Sequence, residues 1–235
     1  MRLNLGHPAL AGLSGRGVTV AVIDSGVHAG HPHVGAVAGG VAVDADLREH
    51  DEFVDRLGHG TAVTAVIEEK APGAEVYAVK VFDRELTTTV EVLVRAIDWA
   101  ASRRIALVNL SLGTTRPDRE QALSAAVRRA VESGTTIVSA RRAGDQTWLP
   151  GELSGVVGVD LDWTCDRHEV RIQHLAGDLR LAASGYPRPA PGVPPDRNLH
   201  GVSFAVANAT GLLARVAEFA AGERLLDGVR ALLRL

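Results

Sequence analysis

Short apolar runs bounded by turn residues recur along the chain and predict buried strands. They are rich in Val and Ile, and each is too short to be a helix. A continuous apolar run, rather than an alternating one, is typical of a parallel strand covered on both faces. The runs are VTVAVI (18–23), VYAVKV (76–81), IALVNL (105–110), TIVSA (136–140) and VVGVD (156–160).

Segments with helical spacing lie between these runs. TAVTAVIEEK follows Gly60, VEVLVRAIDWAAS covers 90–102, and PDREQALSAAVRRAVESG covers 117–134. The last segment has Pro near its start, acids in its first turn and Gly at its end, as expected of a helix. The alternation of strands and helices predicts a three-layer α/β fold, with a mostly parallel central sheet and helices on both faces. Ligands of such sheets bind at the carboxyl ends of the strands.

Composition and charge limit the classes of function that this protein can have. With 46% apolar and 23% charged residues, we expect one globular domain over residues 1–235. A net charge of −3 gives no reason to expect nucleic acid. We find no apolar run of the ~20 residues that a membrane span needs, and no signal peptide. The single cysteine, Cys165, excludes an intramolecular disulfide and suits a reducing compartment. With Met1 present and no signal sequence, we expect a cytoplasmic protein.

Three polar residues lie at positions where a fold of this kind is expected to bind ligands. Asp24 directly follows the first apolar run, His59 lies between two glycines before a helix, and Ser203 opens a helical segment of small apolar residues. Each has an ordinary structural interpretation: a turn-forming acid, a surface or packed histidine, and a helix N-cap. Together they follow the chain order Asp, His, Ser, which is one of the orders known for serine-hydrolase triads.

The motifs around these residues resemble those of the subtilisin-like serine protease (subtilase) family. The resemblance runs in the family's order from about Gly17 to Arg215 and implies a subtilisin-like fold and a serine endopeptidase that needs no cofactor. The motifs are AVIDSGVHAGHP at Asp24, GHGTAV at His59 and GVSFAVANATG at Ser203, with YAVKVFD (77–83), VNLSLG (108–113) and LAASG (181–185) between them.

The resemblance also implies a role for each residue. His59 takes the proton of Ser203 and later gives it to the leaving amine, while Asp24 orients and stabilises the imidazole. Ser203 attacks the scissile carbonyl and forms an acyl-enzyme, and its backbone N–H is one donor to the oxyanion. An extended peptide would pair as an added strand with the cleft-edge residues. These residues are Ser111, Leu112 and Gly113.

The sequence does not identify the group that donates the second hydrogen bond to the oxyanion. Subtilases carry an Ala-Gly-Asn segment after the strand that corresponds to TIVSA, where this chain has SARRAGDQTWLPG. One alignment places Asp145 at the Asn position, and an ungapped one places Ala143 or Arg142 there. Either Arg142 or Asn208 could substitute as the donor. In subtilisin itself, loss of one such donor lowers kcat by about 10²–10³.

The Ser motif departs from the family pattern as well. Val202, Ala207 and Asn208 stand in place of the usual Thr, Pro and His. Together with the open oxyanion donor, these changes favour an alternative, a pseudoprotease that binds extended peptides without cleaving them. A plain α/β domain that binds a small ligand is a more distant possibility, since no glycine-rich phosphate loop supports it.

The remaining features add little chemistry. The histidines of HAGHPH (28–33) are interpreted as a loop rather than a zinc site, and we expect no metal. Cys165 is interpreted as an ordinary small side chain. The chain starts about 20 residues before Asp24, where mature subtilases start, so we expect no propeptide within it. A role in cytoplasmic peptide maturation follows by analogy only. We expect a solvated loop at the acidic residues Asp44, Asp46, Glu49, Asp51, Glu52 and Asp55.

Overall fold

A computed structural model describes residues 1–190, 192–194 and 197–234. Its helices are α1 (His59–Lys70), α2 (Val90–Ser102), α3 (Glu120–Glu132), α4 (Val202–Ala220) and α5 (Leu225–Leu232), with short 3₁₀ turns at Pro8–Leu10 and Pro117–Arg119. Its strands are β1 (Arg2–Asn4), β2 (Thr19–Asp24), β3 (Val37–Val43), β4 (Glu49–His50), β5 (Glu75–Lys80), β6 (Leu107–Leu110), β7 (Thr136–Ala143), β8 (Gln146–Thr147), β9 (Val156–Leu161), β10 (Glu169–Leu175) and β11 (Leu179–Ala183).

Within these described residues, the eleven strands form one sheet. Its order is β1-β10-β11-β9-β7-β6-β2-β5-β3-β4, and β8 pairs with β7 beside this path. The run from β11 to β3 is parallel throughout, whereas β1, β10 and β4 join antiparallel at the edges. The mostly parallel central sheet is therefore confirmed.

The two faces of the sheet bury two separate hydrophobic cores. Alternate side chains of a strand point to opposite faces, so Val20 and Val22 pack with α1, α4 and α5, while Ala21 and Ile23 pack with α2 and α3. The three-layer arrangement is thus confirmed. By the same alternation Asp24, the last residue of β2, belongs to the face that carries α1 and α4.

Helices α1 and α4 pack closely against each other on that face. A Cβ atom added at Gly211 of α4 would stand 2.9 Å from the carbonyl oxygen of Ile67 and 2.9 Å from Cβ of Lys70. Only a residue without a side chain allows this approach of the two backbones. The two helices are consequently held in one relative position, and both begin at the carboxyl edge of the sheet.

Most predicted elements are confirmed, but six of the eleven described strands were not predicted. All five apolar runs form strands and all three helical segments contain helices, with ends within a few residues of the expected ones. The strands that were not identified are β1, β3, β4, β8, β10 and β11. In the Pro-rich stretch 186–198, the described residues form no α-helix or strand, while 191, 195 and 196 lie outside the described residues.

No helix of the described ranges is by itself both long enough and apolar enough to cross a membrane. Helices α4 and α5 meet that criterion only when taken together, by length and composition, across a bend of 87°.

Candidate active site

Asp24 is a fully buried carboxylate at the carboxyl end of β2. Its Oδ1 accepts a hydrogen bond from the backbone N–H of Ser25 at 2.8 Å and lies 2.7 Å from Nδ1 of His59. Its Oδ2 is buried and has no hydrogen-bond partner among the described residues. A buried carboxylate is costly unless it is paired, and the imidazole of His59 supplies that pair.

His59 is the first residue of α1. The two glycines that flank it are each required for a different structural reason. Gly58 has a left-handed backbone with φ of 81°, which glycine adopts without strain. A Cβ added at Gly60 would lie 2.2 Å from the carbonyl oxygen of Gly26. The missing side chain therefore lets the first turn of α1 lie directly against the turn that follows Asp24.

The surroundings of His59 favour a protonatable imidazole. Burial of the ring opposes its charged form, but the hydrogen bond and charge of Asp24, with the charge of Asp55, outweigh it and raise the pKa of His59 above 6.5. An ionised carboxylate can only accept hydrogen bonds, so Nδ1 of His59 donates to Asp24. The neutral ring then leaves Nε2 free to accept a proton.

Ser203 lies in the first turn of α4, and its interpretation as the N-cap is wrong. The N-cap is Gly201, which has φ of 144° and no side chain to cap the helix. The N–H of Gly201 donates to the carbonyl oxygen of Gly185 at 2.9 Å and fixes this turn to the end of β11. Within the part of the chain that the structure describes, the backbone N–H of Ser203 has no acceptor, so it is free to bind an oxyanion.

The structure brings Asp24 and His59 into direct contact, with Ser203 beside them. The ring of Phe204, the residue after Ser203, packs at 5.8 Å between centroids from the ring of His59. The hydroxyl of Ser203 donates to the carbonyl oxygen of Ser111 at 3.2 Å and not to His59. Two members of the predicted triad are therefore hydrogen-bonded, and the third is turned toward β6.

A buried polar network that the sequence analysis missed holds Ser203 to β6. The hydroxyl of Thr210 donates to Oδ1 of Asn109 at 3.0 Å, and Nδ2 of Asn109 donates to Oγ of Ser111 at 2.8 Å. Oγ of Ser111 in turn donates to the carbonyl oxygen of Ser203 at 3.3 Å. The signal available in the sequence was the single amide of Asn109 inside the apolar run IALVNL.

The predicted substrate-binding segment lies at the same edge of the sheet. Ser111 is only 8% exposed and its hydroxyl is used inside the protein, whereas Leu112 and Gly113 are partly exposed. Thr114 and Leu149 form an antiparallel bridge with hydrogen bonds of 2.9 and 2.8 Å, which covers one side of the segment. The binding role of Ser111, Leu112 and Gly113 stays a prediction.

The expected loop for the second oxyanion donor is replaced by a hairpin. Strand β7 continues to Ala143, and the chain turns at Gly144 and Asp145 back into β8. Asp145 is exposed at the tip of this hairpin. Arg142 is also exposed, and its backbone pairs with Thr147.

Asn208 cannot be the missing donor, so that expectation is wrong. Its side chain is buried, and Nδ2 donates to the carbonyl oxygens of Ser184 at 2.8 Å and Tyr186 at 3.0 Å. Both amide protons are thus used to fasten the segment after β11 to α4.

The acidic stretch is not uniformly solvated. Asp46, Glu49, Asp51 and Glu52 are exposed, as expected, but Glu49 lies in the short edge strand β4 and not in a loop. Asp44 and Asp55 are half-buried, and both accept backbone hydrogen bonds within their loops. The interpretation of Asp55 as a solvated loop residue is therefore wrong.

Cys165 and the histidines of 28–33 take no part in the arrangement around Asp24. Burial raises the pKa of the Cys165 thiol to about 11, with a further contribution from the charge of Glu169. The rings of His31 and His33 meet edge to face at 5.3 Å. Among the residues with described positions, no group of three or more His, Cys, Asp or Glu side chains is arranged to hold a metal.

Solved structures of other proteins share this fold. A cold-adapted subtilisin-like serine proteinase matches with a TM-score of 0.72 and 22% identity, over 94% of this chain and 82% of that one. Sphericase matches with a TM-score of 0.70 and 20% identity, over 93% and 84% of the two chains. The fold is therefore a subtilisin-like α/β fold.

The sequence comparisons extend from the fold to the family. The model of the Subtilase family matches residues 15–159, a range that includes Asp24 and His59 and ends before Ser203. This chain belongs to the subtilase family, as its motifs predicted.

Two curated relatives illustrate the similarity. Minor extracellular protease Epr of Bacillus subtilis is 35% identical over 189 residues, which are 74% of this chain and 28% of that protein. Subtilisin amylosacchariticus of Bacillus subtilis subsp. amylosacchariticus is 31% identical over 218 residues, or 87% and 55% of the two chains. The chain thus spans between 28% and 55% of the length of these two relatives.

Proposed function

We propose that this chain is a serine endopeptidase that hydrolyses peptide bonds through Asp24, His59 and Ser203. The supporting observation is the 2.7 Å contact between a fully buried carboxylate and the imidazole of His59, beside a serine in the first turn of α4. Membership of the subtilase family and similarity to minor extracellular protease Epr support the same chemistry.

The first step requires the hydroxyl of Ser203 to turn from Ser111 to His59. Rotation about its Cα–Cβ bond moves Oγ between staggered positions, and catalytic hydrogen bonds often tighten only when substrate is bound. Nε2 of His59 then accepts the proton while Oγ attacks the peptide carbonyl carbon. Asp24, bonded to Nδ1, stabilises the imidazolium.

The later steps use the same groups. The negative oxygen of the tetrahedral intermediate accepts a hydrogen bond from the free backbone N–H of Ser203. When the intermediate collapses, the C–N bond breaks, and the proton on His59 passes to the leaving amine. A water molecule, deprotonated by His59, then hydrolyses the ester on Ser203 and restores the hydroxyl.

The substrate in this proposal is a peptide bound in extended form. Backbone groups of Ser111, Leu112 and Gly113 would pair with it as with a neighbouring strand. We place its action in the cytoplasm, in the maturation of a peptide, with no nucleic acid or membrane partner. The single cysteine, which can form no disulfide within the chain, supports a reducing compartment.

Labelling with a fluorophosphonate and cleavage of peptide substrates test the proposal together. The wild-type chain is expected to take up the probe and to cleave peptides, and Ser203→Ala to do neither. Ser154→Ala is a matched control, since it removes an exposed serine on a different loop. Specific labelling of Ser203→Ala would show that the nucleophile is another residue.

A pseudoprotease that binds extended peptides is the second candidate. It is favoured by the hydrogen bond from the Ser203 hydroxyl to Ser111 and by the hairpin that replaces the loop expected to carry an oxyanion donor. Such a protein would bind a peptide and release it intact. Peptide turnover by the wild type that disappears in His59→Ala would exclude this candidate.

A further inference from the structure

The carboxylate of Asp55 is the centre of a dense set of hydrogen bonds in front of α1. Its Oδ1 accepts from the hydroxyl of Ser25 at 2.8 Å and from the backbone N–H groups of Leu57 and Gly58, both at 2.9 Å. Its Oδ2 accepts from the backbone N–H and the hydroxyl of Thr61, at 2.9 and 2.6 Å. These bonds join the loop before α1, the first turn of α1 and the turn after β2.

Ser25 connects this carboxylate to both members of the acid–imidazole pair. Its backbone N–H donates to Oδ1 of Asp24, and its Oγ accepts the backbone N–H of Gly60 at 2.9 Å. Ser25 follows Asp24 in the chain, and Gly60 follows His59. The bridge from Asp55 through Ser25 therefore ends on the immediate neighbours of the two groups that must meet.

The same bonds explain how α1 begins without a side-chain cap at Gly58. The first N–H groups of a helix need acceptors from outside the helix. Ser25 supplies one for Gly60, and Asp55 supplies one for Thr61. The start of the helix is thus set by residues that lie outside it.

Only an ionised carboxylate satisfies all these donors at once. Both oxygens of a carboxylate accept, whereas an amide would present N–H groups to one side of the same donors. Burial opposes the charge, but the bonds from Thr61, Leu57 and Ser25 outweigh it and lower the pKa of Asp55 below its usual 3.8. Asp55 is consequently charged at neutral pH.

We infer that Asp55 is a positioning residue, which holds Nδ1 of His59 against Asp24 through Ser25 and the first turn of α1. Its negative charge also favours the imidazolium that forms during the reaction. The inference rests on the proposed function only in assigning this pair to catalysis. Other charged or titratable groups face the same region: Arg56 beside Asp55, and His28, His31, His33 and Arg188 around the cavity next to it.

The test compares Asp55→Asn with Asp51→Asn. Both remove one negative charge from the same loop, but the side chain of Asp51 is exposed. Asp55→Asn is expected to lower the pH at which His59 titrates, followed by NMR of ring-labelled histidine and assigned with His59→Gln. We also expect kcat to fall by about 10- to 100-fold with little change in KM, because a misplacement of about 1 Å costs about 100-fold. Asp51→Asn should change neither quantity.

Ser25→Ala provides a second variant that keeps the charge of Asp55 and removes the bridge. We expect it to lower kcat, and the double variant Ser25→Ala/Asp55→Asn to lower kcat little further than Asp55→Asn alone. Such non-additivity is expected of residues that share one network. Additive losses would show that Ser25 and Asp55 act independently, and the positioning role through Ser25 would be wrong.

The outcomes separate this inference from the proposed function. A folded Asp55→Asn protein in which His59 titrates as in Asp51→Asn, with equal kcat, overturns the inference. If Asp55→Asn does not fold, an unchanged kcat in folded Ser25→Ala overturns it instead. The titration of His59 needs no turnover, so a wild type without peptidase activity would contradict the proposed function while still testing Asp55.

Discussion

Replacement of Gly60 by Ala is expected to separate the acid from the imidazole. The new Cβ would lie 2.2 Å from the carbonyl oxygen of Gly26 and 3.2 Å from both Cβ of Asp24 and the backbone N of Ser25. All three are backbone or near-backbone atoms that cannot move aside by rotating a side chain. The first turn of α1 must therefore shift away from the turn after β2.

The size of this shift follows from the contact distance. Ordinary van der Waals contact starts at 3.4 Å, so the two segments must move apart by about 1.2 Å. This exceeds the tolerance of the 2.7 Å contact between His59 and Asp24. A misplacement of about 1 Å costs about 100-fold in rate, or about 2.7 kcal/mol of transition-state stabilisation. Overpacking should also destabilise the fold by about 1–3 kcal/mol.

The assay measures kcat and KM for peptide cleavage together with urea unfolding. Gly177→Ala is the matched control, because a Cβ at that position meets no atom within 4 Å. We expect Gly60→Ala to lose about 100-fold in kcat while it remains folded, and Gly177→Ala to keep full activity. A folded Gly60→Ala protein that retains a third or more of wild-type kcat/KM would refute the reasoning from this close approach.

Three further predictions concern protonation. Only the neutral imidazole of His59 accepts a proton, so we expect kcat/KM to rise with pH as His59 loses its proton. The midpoint should lie above 6.5, because the effect of Asp24 on the pKa of His59 outweighs that of burial. The variant Asp24→Asn should lower that midpoint. Burial lowers the pKa of Lys70 from 10.5 to about 8, so between these values the folded state binds fewer protons than the unfolded state. The free energy of unfolding should therefore rise with pH from 8 to 10.5, by about 3 kcal/mol at most, relative to Lys70→Met in urea unfolding. The thiol of Cys165, with a pKa of about 11, should react with iodoacetamide at pH 8 about 100-fold more slowly than in the urea-unfolded chain; equal rates would contradict its burial.

The central part of the fold was predictable because its signals are local. A buried parallel strand is apolar on both faces, and the runs at β2, β5, β6, β7 and β9 show this directly. Strand β3 was missed because VAGGVAV contains two glycines, which are poor strand formers. Its place is set by pairing with β5, a contact that no local pattern reveals.

The candidate triad was predictable because each member stands next to a recognisable boundary. Asp24 ends a strand, His59 begins a helix, and Ser203 lies two residues after the glycine that precedes another helix. The sequence could not predict on which face of the sheet Asp24 lies, because the run before it is apolar throughout and does not alternate between apolar and polar residues. That face depends on which helices cover the sheet.

The supporting residues were not predictable for a related reason. Asp55 belongs to a run of acids that reads as a solvated loop, and its importance comes from bonds to Ser25 and Thr61. Asn109 looks like an interruption of an apolar strand until Thr210 is placed beside it. In both cases the role depends on a partner that the chain brings together only on folding.

The path of the chain after β7 shows the limit of motif comparison. Two alignments of SARRAGD were possible, and neither anticipates that Arg142 and Ala143 continue the strand into a hairpin. The side chain of Arg141 is held by Asp160, with Nε and Oδ1 at 2.8 Å. This ion pair joins β7 to β9 and is a tertiary contact that no motif contains, while the pairing with β8 closes the local hairpin.

The side-by-side arrangement of α1 and α4 has an electrostatic consequence that does not involve any titrating group. Each helix carries the equivalent of about half a positive charge at its N-terminal end, and here both ends meet at His59 and Ser203. The ionised carboxylate of Asp55 already offsets the pole of α1, whose first N–H groups are bonded to Asp55 and Ser25, whereas the pole of α4 at Ser203 is not offset in this way. A carbonyl oxygen that gains negative charge beside Ser203 would be stabilised by the peptide dipoles of α4, and this attraction is the same at every pH at which the chain stays folded.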